Sequence, residues 1–299
     1  MTDMLETQRI TFIFFVALAL TLLVSFAVPA ATPVASTGAL RIPAYVQRHD
    51  EMIYNTVLVE AQRGGGSGTV LFSGDVGDEI HTYVLTNFHV IAGNVSVNEE
   101  WDTRAGKNVK KEKRTRVNVL WFQYNDYSKA IGNSGKRADI VAYNKDRDLA
   151  LLRLVDKERK VDSAAYLHPE DSYPHLSEEI WAVGAGLGEP PFVTRGLISA
   201  VDRESEGNRY LLSSADIIFG NSGGGQFLYN TETSRYEFIG VPSAISRVGW
   251  SFATHMAWII PHQDVFKFFR DECYQVILGE SLGDDCKAVG EFVEKKDEE

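Results

Sequence analysis

The sequence predicts an all-β fold, a barrel or a sandwich, closed by one helix near the C-terminal end. Three observations predict it. Twelve short runs rich in β-branched, aliphatic and aromatic residues follow one another from about Tyr54 to Met256, punctuated by Gly, Asn and Asp. Few stretches between them repeat their apolar residues at helical spacing. Only the segment after Pro261 does so clearly, through Val265, Phe266, Phe269, Cys273, Val276 and Ile277.

The runs fall into two halves. Residues 56–60, 68–72, 81–86, 117–124, 139–143 and 149–154 make the first. Residues 180–183, 193–201, 210–213, 226–229, 236–245 and 251–256 make the second. The helix is expected over 261–279, because Pro261 suits a first turn and Gly279 a C-cap. Between residues 94 and 137 the chain is polar, with seven Lys/Arg within 104–116. A cationic patch for an acidic partner or anionic lipid headgroups is one reading; a long solvated hairpin is the reading adopted, since charge runs mark exposed loops.

At the N-terminus an apolar run covers residues 10–28, broken only by Thr11, Thr21 and Ser25. It is long for the core of a secretory signal and close to the roughly 20 residues that span a bilayer. Asp3 and Glu6 make a poor cationic leader, while Val28-Pro29-Ala30 offers a small-residue cleavage site. Residues 1–30 are therefore a hydrophobic helix acting as membrane anchor or cleaved signal, and the rest of the chain is expected outside the cytoplasm. Residues 31–50 read as a linker, 51–279 as the folded domain and 280–299 as an acidic tail.

A net charge of -11 argues against nucleic acid as the main partner, because phosphate binding needs clustered cations. Cys273 and Cys286 are the only cysteines, so no disulfide framework carries the fold. They either pair or are two unrelated thiols. No second ligand pair sits near them at metal spacing, so neither a metal nor another cofactor is expected.

Three residues carry chemistry. Ser222 lies in Gly220-Asn221-Ser222-Gly223-Gly224-Gly225. A serine hydroxyl needs a base to take its proton and donors for the oxyanion that forms. Small neighbours let a substrate backbone approach and let the N–H groups of Gly220 and Ser222 point at one spot. His89 follows a β run, and Asp148 immediately precedes the apolar run Leu149-Ala150-Leu151-Leu152. Each signal is modest alone; the order His, Asp, Ser on a β framework supplies base, orienter and nucleophile. Asp139 and Asp146 compete for the orienting role, but neither directly precedes the apolar run. Gly132-Asn133-Ser134-Gly135 imitates the nucleophile motif but precedes Asp148, so it reads as a turn.

The chain resembles the trypsin-like serine peptidases, and within them the high-temperature-requirement (HtrA-like) type. Gly66-Ser67-Gly68-Thr69-Val70-Leu71, Leu85-Thr86-Asn87-Phe88-His89-Val90, Asp148-Leu149-Ala150-Leu151-Leu152, Val193-Thr194-Arg195-Gly196-Leu197-Ile198, Gly220-Asn221-Ser222-Gly223-Gly224 and Phe238-Ile239-Gly240-Val241 carry the resemblance. It implies two six-stranded β-barrels, about 51–165 and 175–260, with the site between them. It implies an endopeptidase acting on polypeptides through His89, Asp148 and Ser222, with Gly220 and Ser222 as the oxyanion hole. Ser243 resembles a serine lying beside the catalytic Asp and lining the specificity pocket. Asp216 occupies the position that selects Lys or Arg in trypsin-like members, whereas HtrA-like members prefer small aliphatic residues. Asn221 replaces the Asp that pairs with a freed N-terminus in digestive and clotting members, so activation by trimming is not expected. Only 20 residues follow Gly279, too few for the PDZ domain of many HtrA-like members. The rival readings are a catalytically silent binding or scaffolding module on the same fold, and an esterase, for which a Gly-x-Ser-x-Gly elbow is missing.

Overall fold

A computed structural model describes residues 42–103, 106–283 and 286. The apolar run 10–28 and most of the acidic tail lie outside the described residues.

The first half closes on itself. Strands β1 (Thr56–Ala61), β2 (Gly64–Val76) and β3 (Glu79–Thr86) lead into a short helix, α2 (Phe88–Ile91), itself preceded in the chain by α1 (Ala44–Arg48). A hairpin of β4 (Val95–Asp102) and β5 (Lys107–Arg114) follows, then β6 (Val117–Asn125), β7 (Lys129–Asn144) and β8 (Leu149–Leu154). Six of these form a closed barrel in the order β1-β2-β3-β8-β7-β6, and β1 meets β6 at Val59↔Val119. Its interior is filled by Val57, Val59, Val70, Val84, Val119, Ile140 and Leu152.

The second half contains β9 (Tyr166–Leu167), β10 (Glu179–Gly184), β11 (Phe192–Ser205), β12 (Asn208–Ser213), β13 (Gly225–Asn230), β14 (Arg235–Val248) and β15 (Ser251–Pro261). The sheet runs β13-β10-β11-β12-β15-β14-β9, and a further β13–β14 pairing joins six of its strands into a ring. The two-residue β9 is an addition to its rim.

Side-chain alternation explains why the apolar runs are nearly continuous. In β8, Ala150, Leu152 and Leu154 face the first barrel's interior, while Leu149 and Leu151 belong to the core shared with the second half. In β10, Ile180 and Ala182 fill the second interior, while Trp181 and Val183 join that shared core. A strand buried on both faces has no polar face to show. The shared core also takes Phe227, Phe238, Phe268 and Phe269, all fully buried, and each such burial stabilises by about 1.5–3 kcal/mol.

The expected solvated hairpin is found in part, and two expectations change. The strand pair β4–β5 makes a separate two-stranded sheet, so the polar stretch after residue 94 is partly a hairpin outside the barrel. The expected linker over 31–50 ends earlier. Residues from Ala44 are helical and bind the second half: Gln47 Nε2 donates to the Ser234 carbonyl at 2.6 Å, and Glu51 accepts the Tyr236 N–H at 2.8 Å. The closing helix is shorter than 261–279. Helix α3 (His262–Asp271) stops where Cys273 turns left-handed at φ 64, and a 3₁₀ turn follows at Gln275–Leu278. The Tyr274 N–H reaches the Phe269 carbonyl at 2.7 Å and the Cys273 N–H reaches Arg270 at 3.3 Å, a Schellman closure with cysteine in glycine's usual place. The cysteine question is answered too: Cys273 and Cys286 form a disulfide.

At the first residue of α3, His262 is fully buried between the carbonyls of Pro169 and Ile239, with the His168 ring 5.3 Å away. Burial, aided by the neighbouring His168, holds its pKa below the ordinary imidazole value despite those carbonyls. A depressed folded value stabilises the fold above the unfolded pKa and is lost as pH falls through the folded one. The melting temperature should thus be flat above about pH 7 and decline from about pH 6.5 downward. In His262→Gln the decline should be shallower. Some should remain, because burial also lowers His49 and His81.

Candidate active site

The chain leaves β3 at Asn87 and makes the single turn of α2 that carries His89. Asp148 ends the turn between β7 and β8. Its N–H reaches the Lys145 carbonyl at 3.3 Å, and its φ of 54 is one that Asp tolerates better than most residues. This turn aims the carboxylate at α2. Oδ1 accepts the His89 backbone N–H at 2.9 Å, and Oδ2 pairs with His89 Nδ1 at 2.8 Å. Asn87 Nδ2 donates to the Asp148 carbonyl at 2.8 Å, so both ends of the contact are held. A third donor comes from β14: Ser243 Oγ donates to Asp148 Oδ2 at 2.6 Å. The charge of Asp148 also reaches Tyr210, whose hydroxyl pKa is raised mainly by burial and further by that carboxylate.

Ser222 lies between β12 and β13, in a loop built on a tight turn. The Asn221 N–H reaches the Ile218 carbonyl at 3.0 Å, and Asn221 Oδ1 accepts the Ile218 N–H at 3.1 Å. Phe219 and Gly220 form the corner. Gly220 has φ 98, and a Cβ there would lie 2.7 Å from Leu187 N and 2.8 Å from the Ala185 carbonyl oxygen, so glycine is required twice over. Asn221, Gly223 and Gly224 spend their N–H groups on the carbonyls of Ile218, Pro242 and Asn221. Among the described residues the N–H groups of Gly220 and Ser222 meet no acceptor. Two free donors flanking one residue are what a developing oxyanion needs.

The loop that carries Ser222 is fastened to the first barrel through a residue that sequence reasoning assigned no role. Ser67 is fully buried in β2. Its N–H donates to the Ser222 carbonyl at 2.7 Å, and its hydroxyl donates to the Gly220 carbonyl at 2.6 Å while accepting the Ala185 N–H at 2.7 Å. Thr86 Oγ1 donates to the Ser67 carbonyl at 2.7 Å. Space is tight: a Cβ on Gly223 would come within 2.2 Å of the Ser67 carbonyl oxygen and 2.3 Å of Thr86 Oγ1. A serine between glycines reads as a turn, so only the fold reveals this fastening. Ser67→Ala strands two buried backbone groups, at about 1–3 kcal/mol each. It should lower the urea midpoint accordingly and reduce kcat more than it changes KM.

The structure thus brings His89, Asp148, Ser243 and Ser222 into one chain of contacts. Ser222 Oγ donates to the Ser243 carbonyl at 3.4 Å, a long hydrogen bond. The direct bond from His89 Nε2 to Ser222 Oγ is not made; among the described residues Nε2 has no partner. Asp216 stands apart from the chain of contacts. It is exposed, its carbonyl accepts from Thr194 Oγ1 at 2.6 Å, and its Oδ1 accepts from Thr254 Oγ1 at 2.8 Å.

The family model described as the trypsin-like peptidase domain matches residues 66–233, more than half of the chain. The chain belongs to the trypsin-like peptidase family. The match supports a serine endopeptidase. Proteases of known structure share its fold at low identity. The crystal structure of the serine endoprotease from Yersinia pestis gives a TM-score of 0.53 at 21% identity, covering 77% of this chain and 67% of that one. The HtrA-type protease AlgW with a tripeptide also gives 0.53 at 21%, covering 75% of this chain and 62% of that one. A serine-to-alanine form of AlgW, again with a tripeptide, gives 0.53 at 19% over the same shares of the two chains. The chain therefore spans less than two thirds of AlgW. No curated protein sequence matches it. In this trypsin-like peptidase the 66–233 match takes in every residue named above as base, orienter or nucleophile, while Ser243 lies beyond it.

Proposed function

We propose that the chain is an exported serine endopeptidase that hydrolyses peptide bonds through a Ser222–His89–Asp148 triad and an acyl-enzyme intermediate. The observation that carries this reading is the Asp148 carboxylate, which holds His89 by its backbone N–H and by Nδ1. With Nδ1 fixed as donor, Nε2 carries the lone pair and is free to take the Ser222 proton. Catalytic hydrogen bonds are often long before substrate binds. On this reading Ser222 Oγ gives up its long bond to the Ser243 carbonyl and donates to His89 Nε2 instead.

The steps follow. Ser222 Oγ attacks the scissile carbonyl as His89 takes its proton, and the oxyanion is received by the N–H groups of Gly220 and Ser222. His89 then protonates the leaving amine, and a water activated by His89 releases the acid and restores the serine. Asp148 keeps its charge throughout and stabilises the imidazolium. Ser243 keeps the carboxylate in place.

The export reading rests on residues 10–28, as anchor or as cleaved signal. Alkaline carbonate washing separates the two: an anchored chain stays with the membrane and a processed one does not. The enzymatic reading is tested with the full-length chain on casein and on a p-nitrophenyl ester. Casein cleavage, with a burst of about one equivalent of p-nitrophenol, supports it. Neither casein cleavage nor a burst, from folded protein, returns the chain to a binding module.

A further inference from the structure

Three apolar side chains stand exposed around the corner that carries Gly220. Phe219, the residue before it, is 61% exposed; Phe252 on β15 is 48% exposed and Leu187 is 71% exposed. The rings of Phe219 and Phe252 meet edge to face with centroids 4.9 Å apart. Leu187 donates its N–H to the Phe219 carbonyl at 2.7 Å and sits at φ 57, ψ 18, a left-handed conformation unfavourable for leucine. A solvent-facing leucine held in such a conformation, beside a solvent-facing aromatic pair, is costly in water unless something covers it.

The arrangement is built. The β14–β15 ladder runs Val248↔Ser251, Arg247↔Phe252, Ser246↔Ala253 and then jumps to Ile245↔Ala257. Residues 254–256 therefore leave the ladder, and Thr254 turns to the segment before the nucleophile. Its carbonyl accepts the Ile217 N–H at 3.1 Å, and its hydroxyl donates to Asp216 at 2.8 Å. This lacing fixes where Phe219 meets Phe252. It also engages one oxygen of the only carboxylate in the segment, so the surface nearest Gly220 is apolar.

We infer that Phe219 and Phe252 form an aromatic clamp that selects substrates carrying a bulky apolar side chain within the two residues on the acyl side of the scissile bond. This rests on the proposed role of Ser222. A carbonyl attacked by Ser222 lies against the N–H of Gly220, so the side chains on its acyl side emerge within reach of the residue next to Gly220. An apolar side chain laid on the clamp covers both rings, and apolar burial is the main source of discrimination available there. A lysine or arginine would find the carboxylate of the segment before Ser222, Asp216, already bonded to Thr254.

The test is a degenerate peptide library digested by the full-length chain, with cut sites read by mass spectrometry and rates normalised to active sites titrated by a fluorophosphonate. Leu, Met, Phe and Tyr should dominate the two acyl-side positions. Phe219→Ala and Phe252→Ala should each lower kcat/KM for those peptides by roughly 10–100-fold and flatten the preference, and Phe219→Tyr should restore it. Both residues are exposed, so truncation removes no core packing. A profile led by Lys or Arg and lost in Asp216→Ala overturns the clamp, as does an apolar profile unmoved in both alanine variants. If the wild type neither reacts with the fluorophosphonate nor cuts any peptide, the protease reading falls and the clamp with it. Labelling with an unmoved profile sinks the clamp alone.

Discussion

Ser222→Ala is expected to lower casein turnover by a factor on the order of 10⁶, the scale set by loss of a serine nucleophile elsewhere, while leaving the fold as stable as before. The second half of that result follows from the geometry. The hydroxyl makes one long hydrogen bond, 3.4 Å to the Ser243 carbonyl, and the loop is held by other groups. Its carbonyl is bound by the Ser67 N–H, and Asn221 closes the turn by main chain and side chain. Deleting an oxygen whose one hydrogen bond is long should cost under about 0.5 kcal/mol. Activity and urea midpoint are measured on the same preparation. Loss of both together would mean that Ser222 supports the loop, and loss of neither that it does no chemistry.

Asp148→Asn is expected to lower kcat by about 10⁴ near neutral pH. Asparagine tolerates the left-handed backbone that this position adopts at φ 54, so the turn before β8 persists. The charge is lost, and so is one acceptor. An amide nitrogen in place of Oδ2 donates to His89 Nδ1, which forces the proton onto Nε2. An Nε2–H cannot accept the Ser222 proton. Ser243 Oγ would also lose the acceptor it now holds at 2.6 Å. Asp148→Ala should fall as far in rate and further in stability, because alanine in a left-handed conformation costs about 1–2 kcal/mol. Steady-state kinetics normalised to titrated sites, with thermal melts, separate the two variants. Equal turnover for wild type and Asp148→Asn would remove Asp148 from the chemistry.

The all-β framework was legible because its strands carry apolar residues at period two or continuously, and all twelve runs fall inside observed strands. What escaped notice has physical reasons. Strands β4 and β5 pair residues such as Asn98↔Lys111 and Glu99↔Lys110, so no buried face left an apolar pattern. The helix ends at Cys273 through a left-handed cap, and nothing local marks a cysteine for that role. Of the candidate site, the sequence named His89 and Asp148, which the structure joins, and Ser222 and Gly220, whose roles are proposed. The fastening was not legible: Ser67 acts across 153 residues on the Gly220 carbonyl, a relation that only the packing of β2 on the nucleophile loop creates. Phe219 and Phe252 meet through a break in the β14–β15 ladder, and ladder breaks are not written in residue types.

Transfer of the Ser222 proton to His89 is the step on which the proteolytic reading depends, and in the resting structure His89 bonds Asp148 while Ser222 Oγ bonds the Ser243 carbonyl, with no bond between the two. Its most direct test is the rate at which a fluorophosphonate modifies the chain, followed by intact mass with the adduct mapped by peptide sequencing, in wild type and in His89→Ala. One adduct on Ser222, formed roughly 10²–10⁴ times more slowly without the imidazole, is the expected result. Equal rates in the two proteins, or an adduct on another residue, would contradict the account.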